Sequence, residues 1–142
     1  MAGVTVRTVS GKKDLLRFIK FPWKIYGGNG YWVPPLISDR KKLVDRDRNP
    51  FYRHAEMELF LAEKEGEVVG RIGAILNHLH NSFQSENIGF FGFFESVNDR
   101  SVSTAMFDTA RNWLRSKGVT AMRGPASPSM NDECGLLIEG FE

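Results

Sequence analysis

One carboxylate stands alone in the most apolar run of this chain. Between Asn87 and Val97 the sequence reads NIGFFGFFESV, and Glu95 is its only acidic residue. Four Phe, one Ile and two Gly in so short a run are too apolar for a solvated face. Phe93, Phe94 and Val97 are the surroundings that raise a carboxyl pKa, provided the side chain does not reach water at the strand end. Just beyond lie Asn98, Asp99, Arg100, Ser101 and Ser103. They stand where a strand turns into a helix, and a helix N-terminus carries unpaired amides and the positive end of a dipole. That combination suits an anion such as a phosphate, with ordinary strand–helix packing as the plainer alternative.

These groups need a strand and a helix to hold them. Val102, Ala105, Met106, Thr109, Ala110, Trp113 and Leu114 recur with the spacing of one helical face. Asn98 or Asp99 is suited to cap the start, and Gly118 to end the helix in a left-handed conformation.

The remainder reads as a framework. Val4–Val9 alternates as a half-buried strand. Ser10 is placed to cap a helix that buries Leu15, Leu16, Phe18 and Ile19, and Pro22 is expected to end or restart it. Phe21, Trp23, Ile25 and Tyr26 form core or line a pocket. Gly27–Gly30 is a turn without the Lys-Ser/Thr sequel of a nucleotide loop. Tyr31–Pro35 is extended, and a second helix covers Leu36–Val44. Residues 56–62 and 68–76 form a hairpin about Glu65-Gly66. His78–Asn81 is expected in a polar loop, and Val119–Arg123 as a short strand. Residues 126–142 read as a loop with a terminal apolar segment.

Composition narrows the class. A chain of 142 residues suits one domain spanning 1–142. The lone Cys134 permits no internal disulfide and fits a reducing, cytoplasmic setting, as an ordinary half-buried thiol. No apolar run is long enough to cross a membrane. His78 and His80, with His54 distant in sequence, are a weak metal set, and no metal is expected. Residues 1–53 carry a balance of +8 and residues 54–142 one of −6. Without a nucleic-acid-binding signature, the basic half reads as a wetted surface and no nucleic-acid partner is expected.

The order strand, helix, helix, hairpin, central strand, long helix, strand resembles the first two-thirds of the GNAT superfamily of acyl-CoA N-acyltransferases. The sequence is also similar to uncharacterised bacterial proteins described as GNAT-like. The residues that carry this are Trp32–Leu36, Asn49–Glu56, Gly70–Ile72, Gly89–Glu95, Arg123–Pro125, Asn131 and Gly135–Leu137. The resemblance implies an α/β (α+β three-layer) fold: a mixed, mainly antiparallel central sheet with flanking helices. Superfamily members continue past Glu142 with a further helix and strands that complete the acyl-CoA cleft and often supply a tyrosine acid. The open sheet edge expected here invites a homodimer.

The resemblance also implies a chemistry. A primary amine, on a small molecule or peptide, takes an acyl group from acetyl-CoA or another acyl-CoA. Glu95 is the candidate catalytic base, since a carboxylate on the central strand serves in many members. Amides near Ser96 and Val97 would face the pantetheine arm and the developing oxyanion. Those from Asn98 to Ser103, with Arg100, Ser101 and Ser103, would receive the pyrophosphate. The superfamily pattern Gln/Arg-x-x-Gly-x-Gly/Ala fits in two registers, Arg100-x-x-Ser103-x-Ala105 or Asn98-x-x-Ser101-x-Ser103. Neither has the first glycine, and Asp99 adds a negative charge. The alternative is a catalytically inactive GNAT-like module that binds a ligand or protein.

Overall fold

A computed structural model describes residues 3–140. β1 (Thr5–Thr8), β2 (Ala55–Lys64), β3 (Glu67–Asn77), β4 (Ile88–Ser96) and β5 (Ala121–Arg123) form one sheet in that order. The first four are antiparallel to their neighbours and β5 runs parallel to β4. This is the mixed, mainly antiparallel sheet that the resemblance implies.

Alternation along β2 and β3 sorts side chains to two faces. Met57, Leu59, Leu61 and Ile75 meet Phe18 and Ile19 of α1 (Gly11–Tyr26) and Val44, which follows α2 (Ile37–Leu43). Phe60, Ala62, Ile72, Ala74 and Leu76 meet α4 (Arg100–Ser116) through Val102, Met106, Ala110 and Leu114. Each of those four α4 residues is shut from solvent. α4 lies close because Gly89 is bare: a Cβ there would come within 2.3 Å of a Leu114 methyl.

Three elements differ from expectation. α1 runs through Pro22 to Tyr26 instead of stopping. Proline has no amide to offer the carbonyl of Phe18, one turn back. That carbonyl is satisfied from the sheet, by Arg71 Nη1 at 2.8 Å. The cap of α1 also differs: Ser10 makes no side-chain cap bond, and its amide donates to Asp14 Oδ2 at 3.1 Å. Arg7 fixes that carboxylate through a bidentate pair.

His78–Gln84 is a short helix, α3, in place of the polar loop. Asn77 caps it by accepting the His80 amide at 3.1 Å. Its Leu79 and Phe83 stay exposed, so no amphipathic pattern announced it.

After β5 the chain forms a two-stranded pair, β6 (Ala126–Ser127) with β7 (Glu133–Cys134), within the expected loop. Cys134 is exposed rather than half-buried. Leu136, Leu137 and Ile138 are exposed and irregular. Phe141, part of the expected apolar end, lies outside the described residues.

Candidate active site

β4 is where the sheet opens. Ile88, Gly89 and Phe90 pair with β5, after which Gly124-Pro125 ends the partner strand. The chain then crosses β4 at Gly92, where a Cβ would fall 1.8 Å from the Ala126 carbonyl oxygen, so only glycine fits. Ser127 Oγ accepts the Phe93 amide at 2.9 Å. The second half of β4 is therefore left facing a cavity of about 440 Å³.

A bulge decides what faces it. Gly73 pairs with Gly92 and Arg71 with Glu95, so Phe93 and Phe94 together oppose Ile72. Phe93 has φ of 53°, in the left-handed region a phenylalanine seldom occupies. One extra residue shifts the alternation by one. Unbroken alternation from Phe90 would send Glu95 to the α4 face beside Phe91. The bulge instead puts Phe93 and Glu95 on the α1 face, while Phe94 packs with α4.

There Glu95 meets the last turn of α1. Tyr26 Oη donates to Glu95 Oε2 at 2.6 Å. Trp32 packs on Tyr26 at 5.7 Å and on Trp23 at 5.2 Å, tying the loop after α1 to this corner. Burial pushes the Glu95 carboxyl above its ordinary range, opposed by the Tyr26 hydrogen bond and the Arg71 charge. Burial, with the carboxylate beside it, also lifts the Tyr26 phenol to about 12.

Arg71 forms the floor. Its guanidinium lies 5.0 Å from the Phe18 ring centre and 5.9 Å from that of Phe93. Burial drags its pKa down to about 10. The rim is apolar, with Val33, Leu136 and Leu137 exposed beside an Arg40–Glu133 ion pair. A carboxylate with a raised pKa, in a cavity roofed by aromatic rings, is equipped to accept a proton.

The turn into α4 is built differently. Asp99 Oδ1 accepts both the Ser101 amide, at 2.8 Å, and the Ser101 hydroxyl, at 2.6 Å. Lys64 Nζ donates to Asp99 Oδ2 at 2.9 Å. These contacts hold the Asp99 carboxyl well below its ordinary range. The Val102 and Ser103 amides donate to the Asp99 carbonyl, and Ser103 Oγ to that of Arg100. The Val97 amide donates to Val69, and Ser96 Oγ to the Val97 carbonyl. Asn98 and Arg100 are exposed. The bared amides expected here are thus largely engaged within the chain, because Asp99 is itself the cap. None of Ser96, Val97, Asn98, Arg100, Ser101 and Ser103 lines the cavity that holds Glu95.

The three histidines are dispersed. His54 pairs with Asn77, His78 with Glu56 and His80 with Glu86. No group of three or more metal-ligating side chains occurs among the described residues. Among them, too, no helix is long and apolar enough to cross a membrane.

Tyr26, one of the aromatics expected in core or along a pocket, lines the cavity, while Arg71 is the site residue without a role in the sequence reading. A signal for Arg71 was present: a lone cation inside the run VVGRIGAIL has no place on a sheet covered on both faces unless something binds it.

An antiparallel sheet ending in a parallel β4–β5 pair, with a bulged β4 and helices on both faces, defines a class of protein: the chain has the GNAT fold. Solved structures with the same arrangement include several acetyltransferases. An aminoglycoside N-acetyltransferase bound to a CoA-containing bisubstrate analogue superposes with a TM-score of 0.60 at 17% identity, over 90% of this chain and 82% of its own. A tandem GNAT protein of clavulanic acid biosynthesis gives 0.62 at 14%, over 87% of this chain and 39% of its own. A predicted acetyltransferase from Clostridium acetobutylicum, solved with acetyl-CoA, gives 0.55 at 14%, over 87% and 80%.

Sequence relatives are nearer. Protein YghO of Escherichia coli K12 is 39% identical over 137 residues, which is 96% of this chain and 35% of that protein. The bacterial ceramide synthase of Caulobacter vibrioides is 36% identical over 142 residues, 99% of this chain and 37% of that enzyme. The chain thus spans about a third of the length of the curated relatives it matches. No protein-family model matches it.

Proposed function

We propose that this chain is an acyl-CoA-dependent N-acyltransferase, with Glu95 as its base. One observation carries the reading: the bulge at Phe93 turns the only carboxylate of β4 into the cavity and onto Tyr26. A primary amine enters as the ammonium. Glu95 takes its proton, directly or through water, and the neutral amine attacks the acyl carbonyl. The C–N bond forms, the C–S bond breaks, the second proton of the attacking nitrogen passes to the departing thiolate to give the thiol, and Glu95 returns its own proton to water. Tyr26 holds the carboxylate in place.

The donor is acetyl-CoA or a longer acyl-CoA. Its thioester end fits the space beside Phe93 and Phe94. Its pyrophosphate would lie at Asn98, Arg100, Ser101 and Ser103 with Ser96 and Val97 preceding, once the Asp99 carboxylate swings aside toward Lys64. The relative named a ceramide synthase supports amide formation, since a ceramide is an N-acyl amide, and the apolar rim suits an acceptor or acyl group with a hydrocarbon chain. A homodimer through the outer edge of β5 is the assembly we expect.

The Asp99 cap favours a second reading, a GNAT-like module that binds without catalysis. Thiol release from acetyl-CoA, with pentylamine as acceptor, separates the two. Turnover that falls about a hundredfold in Glu95→Gln supports the enzyme. No turnover by the unaltered chain, with acetyl-CoA bound, supports the module.

A further inference from the structure

Arg71 has more donors than this protein uses. Nη1 serves the carbonyl that Pro22 leaves open, at 2.8 Å. Nε is shut from solvent with no partner, alone in this respect among the described side chains. Nη2 donates to nothing among the described residues, while Arg71 lines the cavity. No ion pair among the described residues reaches it either, although Glu95 is its direct neighbour across the ladder. A half-buried guanidinium stacked on two phenyl rings, with donors left over, is costly unless something fills them. A planar fork of donors is matched by oxygen, best by a carboxylate.

Its position sets what that oxygen belongs to. Side chains directly opposed on antiparallel strands start about 5 Å apart. A ligand whose nitrogen meets Glu95 therefore brings an oxygen two or three bonds away to Arg71. We propose that Arg71 is a binding residue for the acceptor, selecting primary amines that carry a hydrogen-bond-accepting oxygen next to the amino carbon, a carboxylate above all. The inference rests on the acceptor reading of the cavity but not on acyl transfer.

Two features sharpen it. Glu95 and Glu133 repel a carboxylate, so without Arg71 a plain amine would bind better than an amino acid. The sign of the preference therefore reports on Arg71 itself. The Arg71 guanidinium also lies against both Phe18 and Phe93, which pack edge to face on each other, so the polar floor and the apolar walls are one construction.

The test is calorimetric titration of the full chain, without any acyl-CoA, using norleucine, norleucinol and pentylamine. They share the amine and the butyl chain and differ only in the third group on the amino carbon, which is a carboxylate, a hydroxymethyl or a hydrogen. The expected order is norleucine, then norleucinol, then pentylamine, with about tenfold or more between the extremes. Arg71→Met should erase or invert that order while Arg71→Lys keeps part of it. Equal affinities, tighter binding of pentylamine, or an order unchanged in Arg71→Met would overturn the assignment. Should Arg71→Met melt, because the Phe18 carbonyl has lost its donor, the order on the unaltered chain decides alone. Failure of acyl transfer with the binding order intact would sink the enzyme reading and leave this one standing.

Discussion

The two ends of β4's exit make opposite use of their polar groups. Over the cavity, Arg71 has unfilled donors and Glu95 keeps one oxygen free of its Tyr26 bond. A few residues on, at the turn into α4, Asp99 gathers the Ser101 amide, the Ser101 hydroxyl and the Lys64 ammonium. The first region is incomplete without a ligand, and the second is complete without one. A bulge and a crossing chain produced the first, and an acidic cap produced the second. Polar groups that a fold leaves unpaired beside a cavity mark where function belongs. By that standard the proposed acceptor site belongs on the α1 face of β4, and on the same proposal the α4 turn is a latch that an acyl-CoA has to open.

The two largest expected effects are on stability, and the first breaks the frame that separates the regions. Gly92→Ala drives a methyl into the Ala126 carbonyl, which is backbone and yields little. Thermal melting should show a loss of about 1–3 kcal/mol or more, with the cavity deformed. Truncating Leu114 to Ala on the opposite face should cost about 2–5 kcal/mol without altering acceptor binding, since that side chain only fills core.

Tyr26→Phe tests the open region more gently. The tyrosine hydrogen bond favours the carboxylate, so its loss should raise the Glu95 pKa. A base works above its pKa. The acid limb of the pH–rate profile should accordingly move to higher pH, with acetyl-CoA affinity unchanged. An unmoved limb would show that Tyr26 does not tune Glu95.

Asp99→Ala tests the closed region. Losing the cap should lower the melting temperature by a modest amount, and freeing the Ser101 amide and Lys64 should tighten CoA binding. Weaker CoA binding would contradict the latch.

The smallest effect concerns a region remote from both. Arg7 and the Ser10 amide hold the Asp14 carboxyl down at about 2, against 3.8 ordinarily. A depressed native pKa gives stability above the unfolded value that fades as pH falls toward the native one. Melting temperature should therefore drop between about pH 4 and pH 2, and Asp14→Asn should flatten that slope.

Much of this was legible in the sequence. The hairpin about Glu65-Gly66, the apolar β4 and the amphipathic α4 followed from periodicity, because each buries one face against one partner. α3 did not, since its apolar residues stay exposed and only Asn77 signals its start. The passage of α1 through Pro22 depends on Arg71, fifty residues away in sequence, filling the vacated carbonyl. Local propensity carries no trace of that contact. Glu95 was legible as the one carboxylate of its strand. Its face was not, because the bulge that turns it exists only against β3. Asp99 is one of two cap candidates in the sequence, beside Asn98, and its negative charge at the anion site is legible there. That its side chain also takes the Ser101 amide and hydroxyl depends on the folded turn, and nothing local ties Arg71 to Phe18.

The central claim is that Glu95 lies in a cavity that makes it a base. A carbon-detected NMR titration of the Glu95 carboxyl tests it most directly. The expected midpoint lies above that of an ordinary glutamate and moves higher still in Tyr26→Phe. A midpoint at or below the ordinary value, unmoved by that substitution, would contradict it.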